Sequence, residues 1–442
     1  MNKRVSRYDV SPRCPSAALR QIAAECGTEF VLLNTKPTDL RWVDGGLERL
    51  LQVADYTGAA MVYADHFAIL SGKTVEAPVI DCQKGALRDD FDFGAVQLYR
   101  SSFFREALSL DKEDYEFAGL YDLRLNVSRL GELVRVPEYL YYEVELDTRK
   151  SGEKQFDYVD PRNREVQIEM EKACTAHLKA IGAYLEPKFR DVNLDEGDFK
   201  YEASVVIPCK NRVRTIADAI RSALGQKTDF PYNVIVVDDN STDGAVDVIR
   251  SFDDPRLIYI AQDETYHAIG GNWNAAVNHP DCGRFALQLD SDDLYSDENT
   301  VSRFVKAFRE QNCAMVIGTY RITDFDLNTI PPGVIDHKEW TEENGRNNAL
   351  RINGLGAPRG FFVPVLRQIG FPTVKYGEDY AVALRICRDY RIGRIWDVMY
   401  CCRRWDDNSD AALSIEKVNL NNIYKDRIRS WELEARIRKN GK

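Results

Sequence analysis

The chain has 442 residues, enough for two or three domains with full cores. Hydrophobic residues make up 44% and charged residues 29%, the balance of a globular protein and not of a disordered or fibrous one. The net charge of −11 argues against a sequence-independent grip on nucleic acid, and no apolar run reaches the ~18–20 residues of a membrane span.

The start, MNKRVSRYDVSPRCPSAAL, lacks the apolar core of a secretory signal. Ten scattered cysteines without a CxxC pair point to a reducing compartment. Five histidines, none at His-x-x-x-His spacing, speak against zinc. Both His66 and His267 read as packed or paired side chains. The expected location is the cytoplasm.

Residues 1–150 carry short apolar runs, FVLLN, MVYADHFAI and LVRVPEYLYYE, separated by helical spacing. Residues 151–200 form a connector, with a predicted helix in VQIEMEKACTAHLKAIGAYL and an acidic stretch after it. At Ala203 the texture changes. ASVVIP predicts a buried strand, VRTIADAIRSAL a helix, NVIVVDD a strand, VDVIRSF a helix and RLIYI a third strand. NWNAAVN then predicts a helix and FALQLD a strand. Apolar strands alternating with amphipathic helices predict an α/β domain at 201–414, with a mostly parallel sheet covered on both faces. Residues 415–442 carry Leu420, Tyr424, Ile428, Trp431 and Ala435 at helical spacing. They predict an amphipathic helix with a basic end, which either packs on the protein or meets an anionic membrane surface.

The first 150 residues parallel the second half. GTEFVLLNTKPTDL matches GRFALQLDSDDL, AAMVYADHFAI matches CAMVIGTYRIT, and LVRVPEYLYYE matches IGRIWDVMYCC. VQLYRSSFFREAL set against APRGFFVPVLRQIG pairs Phe103 with Phe361, while Met61 pairs with Met315 and Tyr141 with Tyr400. The two strands that open the second half find no counterpart, so the first 150 residues read as a half-domain.

Three acidic clusters follow predicted strands or open a helix: Asp238-Asp239-Asn240-Ser241-Thr242-Asp243, Asp290-Ser291-Asp292-Asp293 and Glu378-Asp379. A parallel sheet gathers such groups beyond the carboxyl ends of its strands. With SVVIPCKN at 204–211, VIVVDDNSTDG at 234–244, LQLDSDDL at 287–294 and YGEDYAVALRI at 376–386, the chain resembles the family 2 inverting glycosyltransferases. The resemblance covers residues 200–414 strongly and implies the GT-A fold, Rossmann-like, preceded by a truncated, degenerate GT-A-like half-domain.

The resemblance also implies roles. Pro208 and Asn211 line the nucleoside pocket, Asp239 accepts a hydrogen bond from the base, and Asn274 and Asp290 also belong to the nucleotide site. Asp290 and Asp292 are hard oxygen ligands for Mg²⁺ or Mn²⁺, which neutralises the leaving diphosphate. Asp379 is the general base and Glu378 orients the acceptor or pairs with a cation. Arg359 and Trp405 are candidates for the acceptor side. The implied partners are a nucleotide-sugar donor, expected to be a UDP-sugar, and a glycan or lipid-linked acceptor, which brings the inner face of the membrane and a homo-oligomer into view.

Two departures from the family pattern stand out. Trp273 occupies the place of an arginine before Asn274, and CCRRWDDNSDAALS lacks a late metal-binding histidine. Asp406, Asp407 or Asn408 are candidate substitutes. The first half offers Asn34, Thr35, Lys36 and Pro37 opposite Asp290-Ser291-Asp292, and Gly119-Leu120 opposite Glu378-Asp379. Lysine repels a cation and leucine cannot act as a base, so that half is expected to be a non-catalytic platform. The competing expectation is an inactive homologue that binds glycan or scaffolds a complex.

Overall fold

The computed structural model describes all residues except 1–2, 37–39, 111–112, 148, 150, 155–156, 158–159, 161–162, 264, 406–407, 409–411 and 442. The chain divides into two compact units. Met1–Leu185, Leu350–Asn353 and Asp410–Lys442 form the first, and Glu186–Ala349 with Gly354–Ser409 the second. The connector helix, Arg164–Ala180, and the last helix, Ile415–Asn440, therefore belong to the first unit.

Among the described residues, the first unit holds β1 (Val5–Asp9), β2 (Phe30–Asn34), β3 (Arg41–Trp42), β4 (Met61–Leu70), β5 (Lys73–Ala77), β6 (Val96–Arg100) and β7 (Leu133–Val144). They lie in the order β1-β2-β6-β4-β7-β3, with β5 beside β4. The second unit holds β8 (Ala203–Cys209), β9 (Tyr232–Asp238), β10 (Leu257–Ala261), β11 (Phe285–Gln288), β12 (Leu294–Tyr295), β13 (Met315–Thr323), β14 (Thr329–Ile335), β15 (Arg359–Phe362) and β16 (Ile392–Arg403). Their order is β10-β9-β8-β11-β15-β13-β16-β12, with β14 beside β13.

The strands β10, β9, β8 and β11 are mutually parallel, and β8, β9 and β11 are buried along their whole length. Continuous Val, Ile and Leu runs suit strands covered by helices on both faces. Beyond β11 the sheet is mixed: β15 runs antiparallel to β11 and β13, while β13 and β16 are parallel.

The first sheet repeats this order and these directions with β9 and β10 left out. The row Val31–Tyr99–Met61–Leu133 crosses the first sheet as Ala286–Phe361–Met315–Ile392 crosses the second. Trp42 sits opposite Tyr141 as Tyr295 sits opposite Tyr400. Two sequence pairings change. Tyr99, not Phe103, is the counterpart of Phe361, because Phe103 lies in the helix Ser101–Leu110. And β1, parallel to β2, stands where β8 stands beside β11, so one of the two opening strands does have a counterpart. With β9 and β10 missing, β1 is the edge of its sheet, where the charges of Arg7 and Asp9 discourage further pairing.

The last helix packs within the first unit by a face that fully buries Ile428 alone of the predicted apolar positions. Leu420 and Trp431 are exposed, whereas Asp426, Ile428, Arg429, Leu433 and Arg436 are buried. Charged residues enter this face because they arrive paired: Asp426 binds Arg429 at 2.9 Å and Arg88 at 3.4 Å, and Glu432 binds Arg436 at 2.8 Å. Gly85 allows the close approach. A Cβ there would stand 2.2 Å from the Ser430 amide nitrogen, and its own N–H donates to Ser430 Oγ at 2.9 Å.

Candidate active site

Because β8, β9 and β11 run parallel and adjacent, the loops that follow them leave one edge of the second sheet together. The first two loops are laced to each other. Asn211, at φ +52°, donates its N–H to Ser241 Oγ at 2.8 Å and accepts the Thr242 N–H on Oδ1 at 2.8 Å. Asp243 accepts the Val213 N–H at 2.8 Å. Pro208 is buried within β8 opposite Val237, and the Asp239 carboxylate holds Lys210 at 3.0 Å. Asn211 and Asp239 therefore share one pair of loops.

At the end of β11, Gln288 Nε2 donates to both oxygens of Asp290 at 3.0 Å, and the Asp290 N–H donates to Tyr400 Oη at 3.0 Å. Burial raises the proton affinity of Asp290, with Asp292 adding to it and Gln288 and Arg359 opposing. Asp293 is driven well above the usual carboxylate range by burial and by the charges of Asp292 and Asp290. Three neighbouring carboxylates in one loop repel one another when ionised, which raises the proton affinity of Asp290 and Asp293.

Asp292 faces two other segments. Arg212, from the loop after β8, approaches its Oδ2 at 3.5 Å, and Asn408 Nδ2 approaches the same oxygen at 3.4 Å. Arg403 closes the loop from above: its N–H donates to Asp293 Oδ1 at 2.7 Å and its Nε to the Asp292 carbonyl at 2.6 Å. Trp405 belongs to this strap, with its N–H on Asn408 Oδ1 at 2.7 Å and the Arg214 guanidinium 4.9 Å from its ring. Asp406 and Asp407 lie outside the described residues.

Glu378 and Asp379 open the helix Glu378–Asp389, after Gly377 at φ +81°. Burial, and then the Asp379 charge, push the Glu378 carboxyl up to about 8. Asp379 accepts an ion pair from Arg359 Nη1 at 2.6 Å, so Arg359 lies against the proposed base. The helix Ala268–Asn278 touches this segment through Gly270, where a Cβ would stand 1.9 Å from the Pro372 carbonyl oxygen and 3.4 Å from the Glu378 Cβ.

Asn274, which the resemblance assigns to the nucleotide site, braces backbone in this structure. Its Nδ2 donates to the Phe371 carbonyl and its Oδ1 accepts the Phe371 N–H, both at 2.8 Å, so its carboxamide fastens backbone. Trp273, next to it, stacks on Phe371 with ring centroids 5.2 Å apart and is buried. Gln288 and Arg403 were not singled out from sequence. Gln288 carried a usable signal, since it stands two residues before Asp290 and strand alternation puts both on one face. Arg403 carried none, because only folding brings it to Asp293.

Acids just beyond parallel strands, and a carboxylate pair at a helix start that Arg359 ties to β15, are the arrangement that the glycosyltransferase resemblance implies. Residues 204–369 match the family model "Glycosyl transferase family 2", and the second unit carries a domain of that family. The chain is 28% identical over 197 residues to TuaG of Bacillus subtilis (strain 168), named as a teichuronic acid biosynthesis glycosyltransferase, covering 43% of this chain and 74% of TuaG. Two solved structures align at low similarity. S. aureus TarS 1–349 in complex with UDP-GlcNAc is 21% identical, covering 52% of this chain and 71% of that one, with a TM-score of 0.41. The mannosyltransferase PcManGT from Pyrobaculum calidifontis, in complex with GDP-Man and Mn²⁺, is 17% identical, covering 63% and 85%, with a TM-score of 0.38. The chain spans 60% and 37% of two further TarS chains.

Proposed function

We propose that the second unit transfers one sugar from a UDP-sugar to an acceptor hydroxyl on a glycan or lipid-linked oligosaccharide, inverting the anomeric centre. The observation that carries this reading is the Arg212–Asp292 contact, which joins the loop of the expected nucleoside pocket to the acidic strand end. Nucleoside, diphosphate and reacting carbon would lie in that order along the sheet edge, from Asn211 and Asp239 past Asp290 and Asp292 towards Asp379.

The donor set fits a hard divalent ion. No group of three His, Cys, Asp or Glu is arranged around a common point among the described residues, but Mg²⁺ is often held by one or two carboxylates, with phosphate oxygens and water completing its shell. Asp290 and Asp292 would hold Mg²⁺ or Mn²⁺, which neutralises charge on the departing diphosphate. Asp379 takes the acceptor proton, and Glu378, protonated at neutral pH, can donate a hydrogen bond to the acceptor. Arg403 keeps Asp292 and Asp293 in place, and Trp405 offers an aromatic face beside them.

The first unit reads as a degenerate copy without catalytic groups, a platform for acceptor or assembly. All ten cysteines are free, which supports a reducing location on the cytoplasmic side. No described helix is long and apolar enough to cross a membrane. A lipid-linked acceptor would bring the protein to the inner membrane face.

A thermal-shift panel of UDP, GDP and CDP with Mn²⁺ or EDTA tests the reading, because a ligand specific to the folded state raises the melting temperature by mass action. A metal-dependent rise with UDP is expected. No rise with any nucleotide would favour a glycan-binding homologue without turnover.

A further inference from the structure

Arg359 is placed between the two acidic centres by two separate holds. Its main-chain N–H donates to Gln288 Oε1 at 3.3 Å, and the same Gln288 binds both oxygens of Asp290. Its side chain, 12% exposed, donates from Nη1 to the Leu355 carbonyl at 2.6 Å and to Asp379 Oδ2 at 2.6 Å. The other oxygen of Asp379 accepts the Tyr380 N–H at 2.6 Å. Burial opposes the charge on Arg359, and Asp379, Asp290 and Glu378 together outweigh it. One guanidinium thus serves three acids, and it contacts only Asp379 through an ion pair among the described residues.

We propose that Arg359 is a positioning residue for the proton-accepting carboxylate. The proposal rests on the reading of Asp379 as the base. A carboxylate in the first turn of a helix has two free torsions. Here both oxygens are anchored, one by the Tyr380 amide and one by an arginine that is itself fastened to β11 through Gln288. Each carboxylate oxygen still keeps a second lone pair for an incoming proton. In the transfer step the acceptor oxygen forms a bond to the anomeric carbon. The bond from that carbon to the diphosphate breaks, and its electron pair leaves with the diphosphate. The acceptor proton moves to the free lone pair of Asp379. Arg359 exchanges no proton. It fixes where that lone pair points, and a displacement of about 1 Å at such a position costs roughly 100-fold in rate.

This assignment differs from a phosphate-binding arginine in what its loss would change. Its Nη1 is engaged by Asp379 and Leu355, so on this assignment its removal should leave donor affinity alone and lower turnover.

The test follows release of UDP from UDP-N-acetylglucosamine with Mn²⁺ and water as acceptor, alongside the melting shift given by UDP with Mn²⁺. Arg359→Ala should lower kcat roughly 10- to 100-fold, with donor KM and the UDP shift as in the wild type. Arg359→Lys and added guanidinium with the alanine variant should each restore part of the rate. The double variant Arg359→Ala with Asp379→Asn should be no slower than Asp379→Asn alone. Wild-type turnover in Arg359→Ala, or a raised KM with a lost UDP shift, overturns the proposal. Should Asp379→Asn itself turn over normally, the base assignment falls and the proposal with it. An inactive Asp379→Asn beside a fully active Arg359→Ala overturns only the role of Arg359. Retention of the UDP shift certifies that each variant is folded.

Discussion

Lys36 Nζ lies 2.5 Å from Glu143 Oε1 in the first unit, at strand ends whose counterparts in the second unit carry Ser291 and Cys402. Glu143 is fully buried, and His66 Nε2 approaches the same oxygen at 3.1 Å. Burial opposes the lysine charge, but Asp92 and Glu143 outweigh it and hold Lys36 protonated. Where the second unit gathers carboxylates that call for a cation, the first has a resident ammonium. Lys36→Ala leaves Glu143 buried with the His66 imidazole and the Ala95 N–H but without its cation, and breaking a buried pair from one side costs on the order of 3 kcal/mol. The variant should unfold at lower urea concentration, while the UDP-dependent melting shift of the second unit stays unchanged. A lost UDP shift would show that the first unit contributes to nucleotide binding.

Asp379→Asn keeps the shape of the side chain and removes its ability to take a proton. Turnover of a UDP-sugar should fall by at least ~100-fold, the usual contribution of a general base. UDP binding with Mn²⁺, measured by calorimetry, should remain. An active variant would move the base to another residue, with Glu378 the first to examine.

Much of this arrangement is legible in the sequence, and the limits have physical causes. ASVVIP, VIVV and FALQL are buried on both faces, so composition alone marks β8, β9 and β11, and the acids that follow them fall at one edge. The last helix misleads because apolar spacing ignores ion pairs: Arg429 and Arg436 enter the buried face with Asp426 and Glu432, while Leu420 and Trp431 stay outside. The bracing role of Asn274 is hidden for another reason. An asparagine in a helix carries no local sign of its partner, and only the fold shows both ends of its amide on Phe371. The ion pair of Arg359 with Asp379 joins residues on separate elements, which no local pattern encodes.

Asp292→Ala removes one of the two oxygens proposed for the divalent ion and also frees Arg212. The melting shift with UDP should lose its dependence on Mn²⁺, so that EDTA no longer changes it. If the variant keeps the full difference between Mn²⁺ and EDTA, the ion sits elsewhere, and the strap around Asn408 becomes the place to look.

Glu378 supplies a pH test with a definite sign. Its folded carboxyl titrates near 8, raised by burial first and the Asp379 charge second, above the ordinary 4.5. Between those values the folded state binds more protons than the unfolded state, so this group makes stability fall as pH rises from about 5 to about 8. Glu378→Gln mimics the protonated form and removes that contribution. Its melting temperature should therefore exceed the wild type at pH 8.5 and converge on it near pH 5. Asp290 and Asp293 are raised in the same sense and remain, so the slope flattens without vanishing. Parallel melting curves for variant and wild type across this range would mean that Glu378 is already ionised in the folded protein, and its proposed hydrogen bond to the acceptor would have to run the other way, with the carboxylate accepting.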